Sequence, residues 1–421
     1  MRSAVIVVGL GFGDEGKGTV VDALCARKDV HLVVRYNGGA QAAHNVVTPD
    51  GRHHTFAQWG SGSFHNVPTW LSGDVVVDPL AMFHESEALK TKLKRDPWAL
   101  LSVDPQAICT THYHKAASQA LEKHRGEKRH GSCGMGVRMA KLHAYDAPEH
   151  AIYAHELNDM YWKLAKIRDW TIGYLCAQGI DTTEVERLND LDDLHSRLCS
   201  EIANRVHVRD YGWFRTQAEG PGLEKIVFEG AQGVLLDQSD GFYPYVTPSK
   251  TTTMNARTLL GLLGTPTTEI GVLRTFMTRH GPGPLPTEDE RFRVLLEGEH
   301  NDTHLWQGRF RVGALDLPLI QYAIRANRGI HRLALTHVDK ISAFPGETFP
   351  VGVAYEEDPL LDLMPCSQKD QSALTDRLMT SKPAIRELSK TEVCHEIAKA
   401  LDVRIGLLST GPTCADKTWV A

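Results

Sequence analysis

The stretch Gly9-Leu-Gly-Phe-Gly-Asp-Glu-Gly-Lys-Gly18 concentrates more reactive chemistry than any other part of this chain. From Gly11 it reads as a phosphate loop: a glycine, four residues, then Gly16-Lys17. The Ser or Thr that would follow to hold magnesium is Gly18 instead. Two carboxylates, Asp14 and Glu15, lie inside the loop. A loop built only to cradle polyphosphate excludes acids, because like charges repel. The conflict disappears if one carboxylate holds a metal or takes a proton from a second substrate beside the phosphates. That implies phosphoryl transfer coupled to acid–base chemistry rather than simple nucleotide hydrolysis.

Other polar loops supply candidate partners. His44 closes the segment Arg35-Tyr-Asn-Gly-Gly-Ala-Gln-Ala-Ala-His44, where a cation could stabilise a leaving phosphate. Glu229-Gly-Ala-Gln-Gly, Asp237 and Tyr243-Pro-Tyr-Val-Thr247 suggest a site wall. Gln232 either reads a base edge there or is a surface amide in a glycine turn. Arg309 and Arg311 alternate, which suits carboxylate or phosphate recognition if the segment is extended, and equally suits a solvated charge pair. Asp339 either accepts hydrogen bonds from a guanine ring or caps a helix. The clusters His53-His54 and His112-Tyr-His114 lack cysteine or acidic partners at ligand spacing, which favours surface or packing roles over zinc.

Positioning these residues requires strands that end in loops. Apolar runs at Ala4–Val8, His31–Arg35, Ile226–Phe228, Ile270–Met277, Leu333–Leu335 and Ile405–Leu408 each precede a glycine-rich or polar segment. The pattern predicts an α/β fold with a large, mostly parallel sheet and flanking helices, P-loop-NTPase-like, binding ligands beyond the strands' carboxyl ends. Val20, Val21 and Leu24 predict a helix from about Lys17, whose N-terminus and lysine together form a phosphate site. Helical periodicity over about 106–222, clearest at Ala116–Arg125 and Glu184–Asn204, predicts a helical insertion within one domain spanning 1–421. A further helix is predicted from Lys390 to Leu401.

Bulk properties narrow the classes. The 421 residues, 42% hydrophobic and 23% charged with a net charge of −6, suit a large folded chain and argue against a general nucleic-acid binder. The sequence offers neither a bilayer-length apolar run nor a signal peptide's apolar region, so a cytoplasmic location is expected. Eight scattered cysteines without a CxxC pair predict reduced thiols.

The chain resembles the adenylosuccinate synthetase family along nearly its whole length. The matching segments, in order, begin with Gly13-Asp-Glu-Gly-Lys-Gly18, Val33-Val-Arg-Tyr-Asn-Gly-Gly39, Ala42-Ala-His44 and Phe228-Glu-Gly-Ala-Gln-Gly233. They continue through Tyr243-Pro-Tyr-Val-Thr247, Thr251-Thr252, Thr278-Arg279, Gly283-Pro284, Pro286-Thr-Glu288, Gly313-Ala-Leu-Asp316 and Ser409-Thr-Gly-Pro412. The resemblance implies a ligase that joins L-aspartate to C6 of a 6-oxopurine nucleotide, driven by a nucleoside triphosphate. It implies that Asp14 takes the N1 proton and, with Ala43, holds Mg²⁺. His44 would stabilise the γ-phosphoryl group moving to O6, while Lys17 and the loop residues Gly13, Glu15, Gly16 and Gly18 hold the triphosphate. Gln41, Ser132, Cys133, Gln232, Leu236, Thr247 and His280 would meet the nucleotide substrate. Arg309 and Arg311 would grip aspartate, and Asp339, Ser409 and Gly411 the donor base. The resemblance also implies a homodimer, with the motif for a residue lent across the interface drifted near Arg138 and Lys141.

Departures cluster on specificity. Gly11-Phe12 replaces the usual Gln-Trp, Gln41 an asparagine and Asn45 a threonine. The substrate phosphate loop reads Gly131-Ser-Cys-Gly-Met-Gly136, and His280 replaces a valine near the ribose. The donor-base element reads Thr336-His-Val-Asp339, and the aspartate loop is one residue shorter before Gly313. Asp14, Lys17 and His44 are kept. Ordinary IMP with GTP is the leading expectation, and dGMP with ATP or GTP, the 2-aminoadenine branch, is the alternative. A non-catalytic nucleotide-binding regulator would be favoured by loss of Asp14 or His44.

Overall fold

Each apolar run that precedes a polar loop becomes a sheet strand. The computed structural model describes residues 2–420 apart from Leu223, Leu262, 297–304, 358–360 and Leu363. Its strands begin with β1 (Ser3–Gly9), β2 (Val30–Arg35), β3 (His44–Val47), β4 (His53–Phe56), β5 (Thr69–Leu71), β6 (Leu101–Val103), β7 (His207–Val208) and β8 (Lys225–Glu229). They continue with β9 (Thr267–Arg274), β10 (Phe276–His280), β11 (Phe310–Asp316), β12 (Arg332–Thr336), β13 (Thr348–Tyr355), β14 (Pro383–Ser389), β15 (Ile405–Ser409) and β16 (Lys417–Trp419). Ten of them form one sheet, ordered β16-β15-β12-β9-β1-β8-β2-β5-β6-β7. Only β16 runs antiparallel to its neighbour.

Parallel pairing decides where the loops go. The carboxyl ends of β1, β2, β8, β9, β12 and β15 share one rim, so the candidate loops that follow them open together. Because both faces are covered, β1 and β8 are continuous apolar runs rather than alternating ones. Helix α1 (Lys17–Cys25) begins where its apolar spacing predicts and packs Val20, Val21 and Leu24 on Val5, Val7 and Val33 of the sheet. Helices α2 (Pro79–Leu93), α3 (His112–Arg125) and α4 (Val137–Asp146) follow. The mainly helical 106–222 region shares its apolar core with the sheet edge: Tyr113, Leu164, Ile167 and Ile202 pack with Leu71, Leu101 and Val103. Among the described residues no helix is long and apolar enough to cross a membrane, and all eight cysteines are free thiols.

Three expected elements differ. The run Ile270–Met277 is two strands in different sheets, because Thr275 is pinned at the end of β12. Its N–H donates to the Thr336 carbonyl (3.2 Å) and its hydroxyl to the His337 carbonyl (3.0 Å). The chain then turns into a second sheet, ordered β10-β11-β13-β14, that the sequence reading lacked. The expected helix Glu184–Asn204 is broken into Thr183–Glu186, a tight turn Arg187–Leu191, and Asp192–Ala203. The break lets Asp192 accept from Tyr113 Oη (2.8 Å) and sit 3.1 Å from His112 Nε2. The helix expected from Lys390 starts at Val393.

Candidate active site

The glycine loop settles how two acids coexist beside a phosphate site. Glu15 turns inward and is buried, accepting from the Gly11 and Gly13 amides at 3.0 and 2.8 Å. Its other oxygen lies 2.5 Å from Lys17 Nζ, so the charge is matched within the protein. Gly9 and Gly233 must lack side chains to admit this carboxylate, since an added Cβ would lie 2.2 and 2.4 Å from it. The amides of Gly11 and Gly13 therefore serve Glu15, and the donors left open are those of the α1 N-terminus. That helix starts from a left-handed Gly16 (φ 91°) with no side-chain cap, leaving first-turn N–H groups for an anion.

Asp14 takes the opposite course. It adopts a left-handed backbone (φ 59°), a conformation aspartate tolerates better than most residues, and faces the cavity. Arg274 Nε holds its main-chain oxygen at 2.6 Å. Its carboxylate lies 3.0 Å from His280 Nε2. Burial pushes the Asp14 carboxyl pKa up, but the His280 hydrogen bond and charge, then Arg274 and Lys17, bring it below the ordinary value. Asp14 is thus ionised and ready to accept a proton.

His44 stands at the start of β3 with Nδ1 2.6 Å from Glu229 Oε1, at the end of β8. Glu229 is fully buried and also accepts from the Ser61 amide (3.0 Å) and the Ser61 hydroxyl. Burial raises the Glu229 pKa, but His44, Arg35 and Ser61 outweigh it and leave the carboxyl at about 2. An ionised Glu229 fixes the ring and keeps Nε2 for the cavity. Burial pushes the His44 pKa down while Glu229 opposes the shift. This packing also accounts for the absent Ser or Thr: a Cβ at position 18 would meet His44 Cβ at 2.8 Å and Ser61 Oγ at 3.2 Å.

These groups border a cavity of about 1160 Å³. Gly13, Asp14, Gly16, Lys17, Gly18, Gln41, Ala43 and His44 line one part of it. Ser132, Cys133, Gln232, Leu236, Thr247 and His280 line another, and Asp339, Ser409 and Gly411 a third. Gln41 Oε1, Gln232 Oε1 and His280 Nδ1 are buried without a protein partner, which suits a polar ligand. Glu15, Arg309 and Arg311 are not brought into the lining. Arg311 bonds Glu288 Oε2 (2.9 Å from Nε) and the Gly281 and Gly283 carbonyls (3.2 and 2.7 Å). Arg309 pairs with Glu290 and lies 3.5 Å from Glu288. Both arginines, at and just before the start of β11, are thus paired with the carboxylates of Glu288 and Glu290. The segment before β11, 297–304, lies outside the described residues.

The match to the family described as adenylosuccinate synthetase runs from residue 6 to residue 417. The chain belongs to that family. An adenylosuccinate synthetase from Mycobacterium marinum is 32% identical over 405 residues, covering 91% of this chain and 86% of that protein. The fully ligated adenylosuccinate synthetase from Plasmodium falciparum superposes over the whole of both chains with a TM-score of 0.81 at 21% identity. A cyanophage S-2L succinoaminodeoxyadenylate synthetase, bound to dGMP and dATP, gives 0.63 at 16% identity over 100% of this chain and 95% of that one. Both structural likenesses speak for the fold.

Membership in the adenylosuccinate synthetase family frames what the sequence reading missed. Glu229 was read as part of a wall, while its contact with His44 joins loops 185 residues apart and has no local signal. Arg274 fell inside the apolar run Ile270–Met277 and Arg279 was quoted only within the segment Thr278-Arg279, with no role given to either. Arg279 is buried, donates to the Pro282 and Pro284 carbonyls (3.0 and 3.1 Å), and lies 4.1 Å from the Phe12 ring centroid. Burial lowers its pKa to about 9. Phe12 in place of tryptophan is the signal that could have led there.

Proposed function

We propose that this protein ligates L-aspartate to C6 of a purine nucleoside monophosphate, with IMP and GTP as the leading pair and adenylosuccinate as product. The observation carrying the reading is one cavity that holds a base, a phosphate-facing imidazole and an uncapped helix N-terminus together. Its volume exceeds what one drug-sized ligand fills, as two nucleotides and an amino acid require.

In this mechanism the α1 amides and Lys17 hold the donor triphosphate, and Asp339, Ser409 and Gly411 border its base. Asp14 takes the N1 proton of the 6-oxopurine, which makes O6 the nucleophile toward the γ-phosphorus. A P–O6 bond forms as the β–γ bridging bond breaks, and His44, which takes up a proton on Nε2 when the phosphates arrive and keeps Nδ1–H on Glu229, donates from Nε2 to the transferring group. The aspartate amine then attacks C6, the C6–O6 bond breaks to release inorganic phosphate, and the amine gives up a proton, so that N1 of the product carries none. Asp14 and Ala43 both line the cavity, and the carboxylate of the one and the main-chain oxygen of the other would be the hard donors that hold Mg²⁺. When bound, that ion would neutralise phosphate charge. Arg309 and Arg311 serve aspartate recognition only by exchanging Glu288 and Glu290 for the substrate carboxylates. A homodimer and a residue lent from near Arg138 or Lys141 belong to the same proposal.

The second reading, dGMP with ATP or GTP, is favoured by His280 standing beside Asp14 and by His337 lining the donor side. Incubating purified protein with Mg²⁺, L-aspartate and every pairing of IMP, GMP or dGMP with GTP, ATP or dATP separates the two. Succinylated IMP with GTP supports the first; a succinylated dGMP product replaces it with the second. Triphosphate binding without any succinylated nucleotide refutes both.

A further inference from the structure

Asp22, His65 and Cys414 meet behind the catalytic loop, outside the cavity lining. Asp22 lies on α1, His65 ends the turn Ser63–His65, and Cys414 opens the turn Cys414–Asp416. A carboxylate oxygen, an imidazole nitrogen and a thiol sulfur all fall within 4.8 Å of one another, the one such trio among the described residues. Asp22 is wholly buried; Oδ1 lies 2.8 Å from His65 Nε2, while Oδ2 has no partner. Two other charges lie nearby: Lys417 directs its ammonium to the Gly411 and Thr413 carbonyls (2.7 and 2.8 Å) rather than to Oδ2, and Asp416 accepts from the Thr413 amide and hydroxyl (both 2.8 Å). A buried carboxylate oxygen without a hydrogen bond is costly and needs a counterpart.

The geometry points to a zinc site formed by Asp22, His65 and Cys414, separate from the magnesium-type oxygen set around Asp14. Thiolate, imidazole and carboxylate together select a borderline-soft ion over a hard one. Zinc bonds of about 2.0–2.3 Å place tetrahedral donors roughly 3.3–3.6 Å apart, so His65 Nε2 would open from its 2.8 Å contact with Asp22 Oδ1 while donors now within 4.8 Å of one another draw in. Binding releases the Cys414 thiol proton to solvent and leaves a fourth position for water. The side chain of His65 is 23% exposed and Cys414 is half-buried, which gives the ion a route in. The ion would tie the C-terminal loop to α1. That loop already touches the helix, since Thr19 Oγ1 donates to the Pro412 carbonyl (3.0 Å), and its Ser409 and Gly411 border the donor side of the cavity.

Chelator-treated full-length protein titrated with Zn²⁺ and, separately, Co²⁺ tests this. The expected result is about one ion per chain, an intense tetrahedral Co²⁺ spectrum and a thiolate-to-cobalt charge-transfer band. Cys414→Ser should abolish that band. His65→Gln, at a partly exposed site, should weaken Zn²⁺ affinity at least about 100-fold. A cobalt complex without the thiolate band, or metal affinity unchanged in both variants, overturns the assignment.

Discussion

Gly18→Ala sets helix propensity against active-site packing, and the structure predicts which wins in each measurement. Gly18 is the second residue of α1, and its φ lies outside the left-handed region. On propensity alone alanine would stabilise the helix by about 1 kcal/mol. The new Cβ, however, would stand 2.8 Å from His44 Cβ, whereas ordinary contact begins at 3.4 Å. One side must yield by about 0.6 Å. His44 cannot retreat freely, because its ring is held 2.6 Å from the buried Glu229. Displacement of about 1 Å in a catalytic group costs about 10²-fold, so a smaller shift predicts a kcat loss of about 10- to 100-fold. Thermal stability should stay near wild type, since clash and propensity oppose each other. Gly18→Ser, which restores the usual phosphate-loop residue, should behave like alanine rather than improve the enzyme. Steady-state kinetics with a melting curve distinguishes the outcomes. Wild-type kcat, or wild-type kcat with a raised triphosphate KM, would refute the reasoning by showing that the helix end yields instead of His44.

Glu229→Gln replaces two acceptor oxygens with one acceptor and one donor facing Ser61, so kcat should fall about 10²- to 10³-fold and stability by about 1–3 kcal/mol in urea titration. An unchanged kcat would remove Glu229 from any role through His44. His280→Val takes away the hydrogen bond and charge that keep the Asp14 pKa low. The acid limb of kcat/KM should therefore move to higher pH, as should the acid loss of the stability the ionised Asp14 supplies; an unmoved limb would separate Asp14 from the titration. Asp316 is raised to about 7 by burial, with Tyr355 and the Leu319 N–H opposing. A raised carboxyl contributes stability below its unfolded pKa of about 3.9 and loses it as pH rises through 7, on the order of 4 kcal/mol in all. Asp316→Asn should lose that pH slope in urea midpoints between pH 4 and 8, and parallel wild-type and variant slopes would contradict it.

Fold and site were legible to different degrees for physical reasons. Strands such as β1 and β8 are buried on both faces, so apolar runs marked them, and α1 was marked by Val20, Val21 and Leu24. The second sheet was not legible, because its boundary with the first is Thr275, a residue whose role lies in hydrogen bonds to Thr336 and His337. Asp14, Lys17 and His44 could be found because each sits in a glycine-bearing loop at a strand end. The contacts of Glu229 with His44 and of Arg274 with Asp14 could not, since those partners are distant in sequence and close only in the fold. Arg309 and Arg311 were legible only in part. Alternate spacing marked a pair of cations, but their neutralisation by Glu288 and Glu290 depends on a strand pairing that spacing does not carry.

The acids of this site are sorted by burial rather than by position in the chain. Glu15 and Glu229 both lie beneath the cavity, and each is matched to one nitrogen partner, the Lys17 ammonium at 2.5 Å and the His44 ring at 2.6 Å. A buried carboxylate beside a phosphate site would repel its ligand if left unpaired, and interaction energies grow as water is excluded. Paired, it does the reverse. It holds the ammonium or imidazole in one orientation before the anion arrives, so that little reorganisation is left for the reaction itself. Asp14, one residue from Glu15, escapes this arrangement because its left-handed backbone turns the side chain the other way, toward His280 and the cavity. Two consecutive acids can therefore have opposite roles, one fixing the loop and one meeting the substrate. A net charge of −6 for the whole chain is no obstacle to binding two anionic nucleotides when the charges nearest them are arranged in this way.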